Sequence, residues 1–193
     1  MKVRPYTMTA RADAVRDTGQ RILAAARARF SREYFDDVTL EEVARDAGVT
    51  VQTVIRRFGS KDGLVRELTA MLRPVVMEQR DHAPVGDIDG IVANLLDHYE
   101  DLGDLVMLLL RQEEQIPAYA EVTTLGKQWH SEWVSRAFAP WLDLLTGAPR
   151  DRLHGQLVAM CDVYVWYLLR RQQGLSRRQT HLALAELLNG VLR

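Results

Sequence analysis

Residues 39–64 read TLEEVARDAGVTVQTVIRRFGSKDGL, and their spacing decides the fold. Thr39 stands three residues before Glu42, the separation at which two side chains can cap each other's free backbone N–H groups at a helix start. Leu40, Val43, Ala44 and Ala47 then fall at i, i+3, i+4 and i+7, one apolar stripe of a helix. Gly48 follows, where a chain leaving a helix often turns left-handed. Val49 plugs the turn and Thr50 caps a second helix. In that helix Val54 and Phe58 face inward, while Gln52, Thr53, Arg56 and Arg57 share the opposite arc, because successive residues turn by about 100°. A helix anchored by its back, with amides, hydroxyls and guanidiniums in front, has the shape and chemistry to enter a DNA major groove. The same spacing fits a helical hairpin with a merely solvated charged face.

Composition narrows the class. The chain has 193 residues, 26% charged and 47% apolar, in the range of ordinary globular proteins. Its formal net charge of −1 argues against nucleic acid, but the distribution does not. Residues 1–73 hold 14 Lys and Arg against 10 Asp and Glu, and residues 74–193 hold 11 against 16. The basic half is the half with the helix-turn-helix, as phosphate contacts require. A single cysteine, Cys161, excludes an internal disulfide framework and suits a reducing, cytoplasmic location. The N-terminal stretch lacks the apolar core of a signal peptide, and no run is long enough to span a membrane.

From Ile22 to Leu64 the chain resembles the DNA-binding domain of the TetR family of one-component transcriptional regulators. The matching residues are ILAAARARF (22–30), Val38-Thr39, VARDAGV (43–49), Thr53, Phe58, and Ser60-Lys61-Asp62 before Leu64, under a quarter of the chain. The resemblance implies a homodimer on palindromic operator DNA, usually a repressor, whose affinity a small-molecule effector modulates by moving the helix that starts at Ser60. On this reading Gln52, Thr53 and Arg56 meet base edges, and Thr50, Arg57 and Lys61 meet phosphates, with Thr39 and Val51 completing the interface. Lys61 is a cation at a helix N-terminus, a local conflict that a nearby phosphate would resolve. Two positions depart from the family: Tyr34 replaces a usual glycine, and Ile55 replaces a usual tyrosine whose hydroxyl reaches a phosphate.

The remaining pattern is helical throughout. Residues 1–12, with Lys2, Arg4 and Arg11, read as a flexible basic arm, and a helix from about Asp13 to Arg32 buries Val15, Ile22, Leu23, Ala26 and Phe30. Another helix runs from Ser60 to about Arg80, with Pro74 placed to kink or shorten it. After the loop 81–87, helices are expected over 88–101, around 105–110, over 119–145 with a bend at Pro140, over 151–171 and over 176–193, with TGAPR (146–150) as a turn. The expected fold is therefore all-α, with about nine helices. Its divisions are the arm, a DNA-binding domain over 13–60, and a ligand-binding and dimerisation domain over 61–193.

Two apolar helices in 151–193 exceed what one core needs, which points to a four-helix homodimer interface. The resemblance implies an effector pocket in the middle helices, for which Tyr99, Met107, Trp129, Trp133, Met160 and Tyr164 are the candidate lining. Asp162, alone in an apolar run, is expected to pair with an arginine across the core. Scattered histidines without i, i+4 partners, a cysteine in apolar sequence and the lack of a glycine-rich phosphate loop give no catalytic, metal or cofactor pattern. The alternative to a regulator is a helical dimerisation or adaptor protein with weakened or lost DNA binding, a reading that Ile55 keeps open.

Overall fold

The computed structural model describes the backbone of residues 6–193 and the side chains of residues 13–193, and the described residues form helices and no strands. The chain divides into two compact units, the first ending at Met71 and the second running from Leu72 to Arg193.

In the first unit α1 (Tyr6–Phe30), α2 (Leu40–Asp46), α3 (Val51–Phe58) and the start of α4 (Lys61–Asp81) close over one core. Ile22, Ala26, Phe30, Val38, Val43, Ala44, Val54 and Leu64 are all but fully buried there. Phe35, which showed no periodic signal, joins them by stacking on Phe30 at 6.0 Å. Helix α1 starts at Tyr6, within the stretch read as an arm, because ARADA (10–14) is good helix-forming sequence that can propagate from the anchored turns downstream. Lys2 and Arg4 lie outside the described residues. Val15 is half exposed rather than buried. Tyr34 costs no backbone strain: among described residues only glycines have positive φ, so the loop after Phe30 turns without the left-handed residue that glycine supplies elsewhere.

The second unit is built around α5 (Ile88–Gln112), which packs against α6 (Pro117–Ala137), α9 (Val163–Tyr167) and α10 (Arg177–Val191). Helix α8 (Gly147–Met160) closes the unit against α6 and α10. Ile91, Val92, Leu95 and Leu96 form the buried face of α5 that the periodicity marks.

Several boundaries differ from expectation, each for a local reason. The segments 88–101 and 105–110 are one helix, since Gly103 is kept inside it: the Trp166 indole lies where a Cβ on Gly103 would be. Pro74 lies within α4 without ending it. Pro140 does not bend a long helix but starts a new one, α7 (Ala139–Leu142), where a missing N–H costs nothing. TGAPR is the first turn of α8 rather than a connection. The expected 151–171 helix breaks at Cys161, and Asp162 caps α9 by accepting from the Tyr164 N–H at 2.9 Å. Asp162 therefore serves the backbone instead of pairing with an arginine, a role a short acid readily takes at a helix start. Beyond α9 the chain continues as one π-helical turn, Leu168–Gln172. Glu100 grips it, accepting from Arg170 Nε at 2.5 Å and Nη2 at 3.0 Å, while Asp104 accepts from Arg171 at 3.0 and 2.9 Å.

Candidate nucleic-acid interface

The helix-turn-helix is fixed by the caps read from its sequence. Thr39 Oγ1 accepts from the Glu42 N–H at 3.2 Å, and the Glu42 carboxylate accepts from the Thr39 N–H at 3.1 Å and hydroxyl at 2.9 Å. These bonds from Thr39 are the main reason the Glu42 carboxyl is held below its ordinary range. Gly48 takes φ +65°, and Thr50 caps α3 by accepting from the Thr53 N–H at 3.3 Å.

Arginines of α1 hold this hairpin from behind, a role that spacing gave no means to assign. Arg21 donates to the Ala47 carbonyl at 2.7 Å, satisfying the C-terminal end of α2. Arg29 donates to Asp46 at 2.7 Å and to Glu33 at 3.2 Å, and lies 3.4 Å from Glu42. The hydrogen bond from Arg29 is the largest influence holding the Asp46 carboxyl down, and Asp46 in turn raises Arg29.

The eight candidate residues separate by what their polar atoms already do. Gln52 and Arg56 are exposed on α3 and make no hydrogen bond or ion pair within the described chain. Thr50 and Thr53 hydroxyls are 3.0 Å apart and bonded to each other. Thr39 is committed to the cap, and Val51 is half-buried. Arg57 reaches back to donate to the Val15 carbonyl at 2.9 Å, its guanidinium filling the space Gly19 leaves by lacking a Cβ. Lys61 donates to the Phe35 carbonyl at 2.6 Å and lies 4.4 Å from the centre of the Phe35 ring. Its charge at the α4 N-terminus thus has a carbonyl and a ring partner inside the fold. Ile55, 40% exposed, adds an apolar spot to the same helix. Between α1 and α3 lies a groove of about 670 Å³ lined by Ala14, Val15, Thr18, Thr53, Arg56 and Arg57, among others.

In the second unit Tyr99, Met107 and Trp133 share one buried cluster, with Met160 packed at its edge. The Tyr99 hydroxyl donates to the Cys161 carbonyl at 2.9 Å and the Trp133 Nε1 donates to the Arg80 carbonyl at 3.1 Å. Trp129 lies apart under Arg73, whose guanidinium carbon is 5.1 Å from the ring centre. Tyr164 is 47% exposed and does not join them: the break at Cys161 sets α9 on a new course and turns this ring to the surface. Arg80, buried against Tyr99 and Trp133, is the polar member that sequence reading missed, since a helix-end arginine carries no periodic signal.

A three-helix bundle that presents a capped, arginine-bearing second helix defines the helix-turn-helix class of DNA-binding proteins. Residues 22–68 match the model of bacterial regulatory proteins of the tetR family. That segment of the chain is similar to the family's DNA-binding region. A protein described as an uncharacterized HTH-type transcriptional regulator, YvkB of Bacillus subtilis (strain 168), is 30% identical over 101 residues; the match spans 51% of this chain and 53% of that protein. Among solved structures, a transcriptional regulator from Rhodococcus sp. Rha1 aligns over 90% of this chain and 95% of its own, with a TM-score of 0.71 at 16% identity. NalD, the secondary repressor of the MexAB-OprM multidrug efflux pump in Pseudomonas aeruginosa, aligns over 92% and 97% with a TM-score of 0.65 at 19% identity. SmeT, solved as a complex with triclosan, aligns over 91% and 90% with a TM-score of 0.68 at 18% identity. At these identities the structures establish the shared fold. No helix among the described residues is long and apolar enough to cross a membrane.

Proposed function

We propose that this chain is a transcriptional repressor that binds palindromic operator DNA as a homodimer and responds to a small-molecule effector. The observation that carries the reading is the pair Gln52 and Arg56, exposed and uncommitted on a helix whose every other polar device is spent on holding it in place. An amide and a guanidinium with no internal partner are the two groups best suited to paired contacts with adenine and guanine edges. Thr50, Thr53 and Arg57 flank them at the mouth of the α1–α3 groove and supply phosphate contacts, Arg57 by exchanging the Val15 carbonyl for a phosphate oxygen. Thr39 and Lys61 act indirectly, by fixing α2 and the start of α4.

Dimerisation through residues 151–193 is supported by Tyr164, Leu168, Leu182 and Leu187, large apolar side chains about half exposed on α9, the π turn and α10. Two recognition helices in such a dimer would read half-sites about one DNA turn, 34–36 Å, apart. The aromatic interior of the second unit supports the effector reading, and the naming of NalD as a repressor and of SmeT with triclosan makes a repressor with a small ligand the natural starting hypothesis.

The test is fluorescence anisotropy with DNA flanking the chain's own reading frame, at several salt concentrations. A selective complex is expected whose affinity falls steeply with salt, and Gln52→Ala should alter base preference while leaving the salt slope intact. Absence of any selective complex favours the second reading, an adaptor, which the apolar Ile55 on the DNA-facing helix specifically supports. A monomer in sedimentation at micromolar concentration would remove the palindromic-operator reading.

A further inference from the structure

The interior of the second unit holds a cation without an anion. Arg80, in the last turn of α4, is 7% exposed, with its guanidinium carbon 4.6 Å from the centre of the Trp133 ring and 5.5 Å from that of Tyr99. Its Nη1 is fully enclosed and has no acceptor. The nearby carboxylates are engaged elsewhere: Asp81 with Arg136 at 2.7 Å, and Asp162 at the start of α9. No carboxylate pairs with Arg80 among the described residues. The two rings offset part of the desolvation of a guanidinium, but a buried charge without a counter-ion is costly, and an apolar residue of similar length would serve packing better.

A second orphan lies close by. His130 stacks on Trp133 with ring centres 6.0 Å apart, and its Nε2 is 3.1 Å from the Val158 carbonyl. A carbonyl only accepts, so Nε2 carries the proton. Burial, then the charge of Arg80, holds the ring neutral by lowering its pKa. The enclosed Nδ1, which has no partner, is therefore a bare acceptor. An unmet guanidinium N–H and an unmet imidazole nitrogen thus both lie against Trp133, with Tyr99 beside Arg80.

We propose that the effector of this chain is a hydroxylated organic acid: its carboxylate pairs with Arg80, its hydroxyl donates to His130 Nδ1, and its apolar body packs on Tyr99 and Trp133. This rests on the effector reading above and gives it a chemical class. Arg80 Nη1 can donate a charge-assisted bond to a carboxylate, and pairing removes the cost of the unmet charge. A cationic effector is disfavoured by Arg80, and a neutral one leaves its charge without a counter-ion.

The probes are 2-, 3- and 4-hydroxybenzoate and the three 3-(hydroxyphenyl)propionates, each beside its amide and the corresponding amine, tested on the full chain by tryptophan emission and thermal shift. At least one acid should bind about tenfold or more tighter than its amide, the scale of one charge-assisted pair. Arg80→Met should erase that preference while leaving the unliganded melting temperature unchanged or higher; Arg80→Lys, which keeps the charge, should retain a reduced preference and covers the case in which the Met variant fails to fold. His130→Phe should erase the advantage of hydroxylated acids over plain benzoate and phenylpropionate. Equal binding of acid and amide, a preference that survives Arg80→Met, or no acid binding up to about 1 mM overturns the proposal. DNA anisotropy separates it from the reading beneath it. Release of DNA by amides or amines alone keeps the effector reading and sinks the acid; tight acid binding that leaves the DNA complex untouched keeps the acid site and sinks its role as effector.

Discussion

Lys61 and Ile55 sit six residues apart, and both take their meaning from neighbours rather than from type. With its ammonium on the Phe35 carbonyl and ring, Lys61 ties the loop after α1 to the start of α4. Lys61→Met keeps the stem and loses the charge-assisted bond, so it should lower stability by about 1–3 kcal/mol in denaturant titrations and change the DNA salt slope little. An unchanged midpoint with a flatter salt slope would return Lys61 to the phosphate contacts. Ile55 is exposed enough for a larger side chain to fit without touching the core. Ile55→Tyr restores the hydroxyl the family usually carries here and should tighten binding to all DNA sequences by several-fold, about 1 kcal/mol for one hydrogen bond, with base preference unaltered. Anisotropy against operator and scrambled duplexes distinguishes uniform from selective gain.

Among the elements, α5 shows how a helix is set by what packs on it. Its sequence reads as two pieces, 88–101 and 105–110, yet Gly103 lies inside one 25-residue helix with the Trp166 indole seated against its backbone. Trp166 is itself fully buried, donates to Glu100 at 3.3 Å and lies 4.6 Å from the Arg171 guanidinium. Nothing around the indole can yield cheaply. Gly103→Ala should therefore destabilise the chain by about 1–3 kcal/mol, although alanine is the better helix former by about 1 kcal/mol. Urea unfolding monitored by tryptophan emission reads this directly; a stabilised variant would mean that Trp166 repacks freely. The caps of α2, α3 and α10 needed no such context, since Thr39, Thr50 and Ser176 each bond to the third residue of their own helix.

For the whole molecule, two buried histidines make stability depend on pH. Burial is the main cause that holds His98 well below the ordinary 6.5, with the charge of Arg80 and then His130 adding to it, and His130 is lowered by burial and then Arg80. A group whose folded pKa is depressed stays neutral in the fold and gains its proton on unfolding, so its contribution is fully present above about pH 6.5 and declines as pH falls below that. Carboxylates that are held low, Glu42, Asp46, Glu100 and Glu113, lose their contribution only below about pH 4.5, which leaves the interval between to the histidines. The melting temperature should fall between pH 7 and pH 5, and His98→Gln should flatten that fall. A flat wild-type profile would place both rings in contact with water. Cys161, fully buried with its thiol pushed up to about 12, should resist alkylation until the second unit unfolds, and its labelling rate gives an independent measure of the same transition.

By itself the sequence determined what short-range physics controls: an all-helical chain, the stripes of α2 and α5, the caps, the left-handed Gly48, and the arc of α3 that carries Gln52, Thr53, Arg56 and Arg57. These depend on residues three or four apart, where periodicity and capping act. Only the tertiary structure decided which polar groups remain unspent. Arg57 is drawn to Val15, 42 positions away, Lys61 to Phe35 and Arg170 to Glu100, and no spacing rule reaches that far. The same holds inside the second unit, where Tyr164 turned outward, Asp162 became a cap, and Arg80 was left buried with its charge unmet. A side chain's type announces the bond it can make; whether that bond is already taken depends on atoms that only the fold brings near.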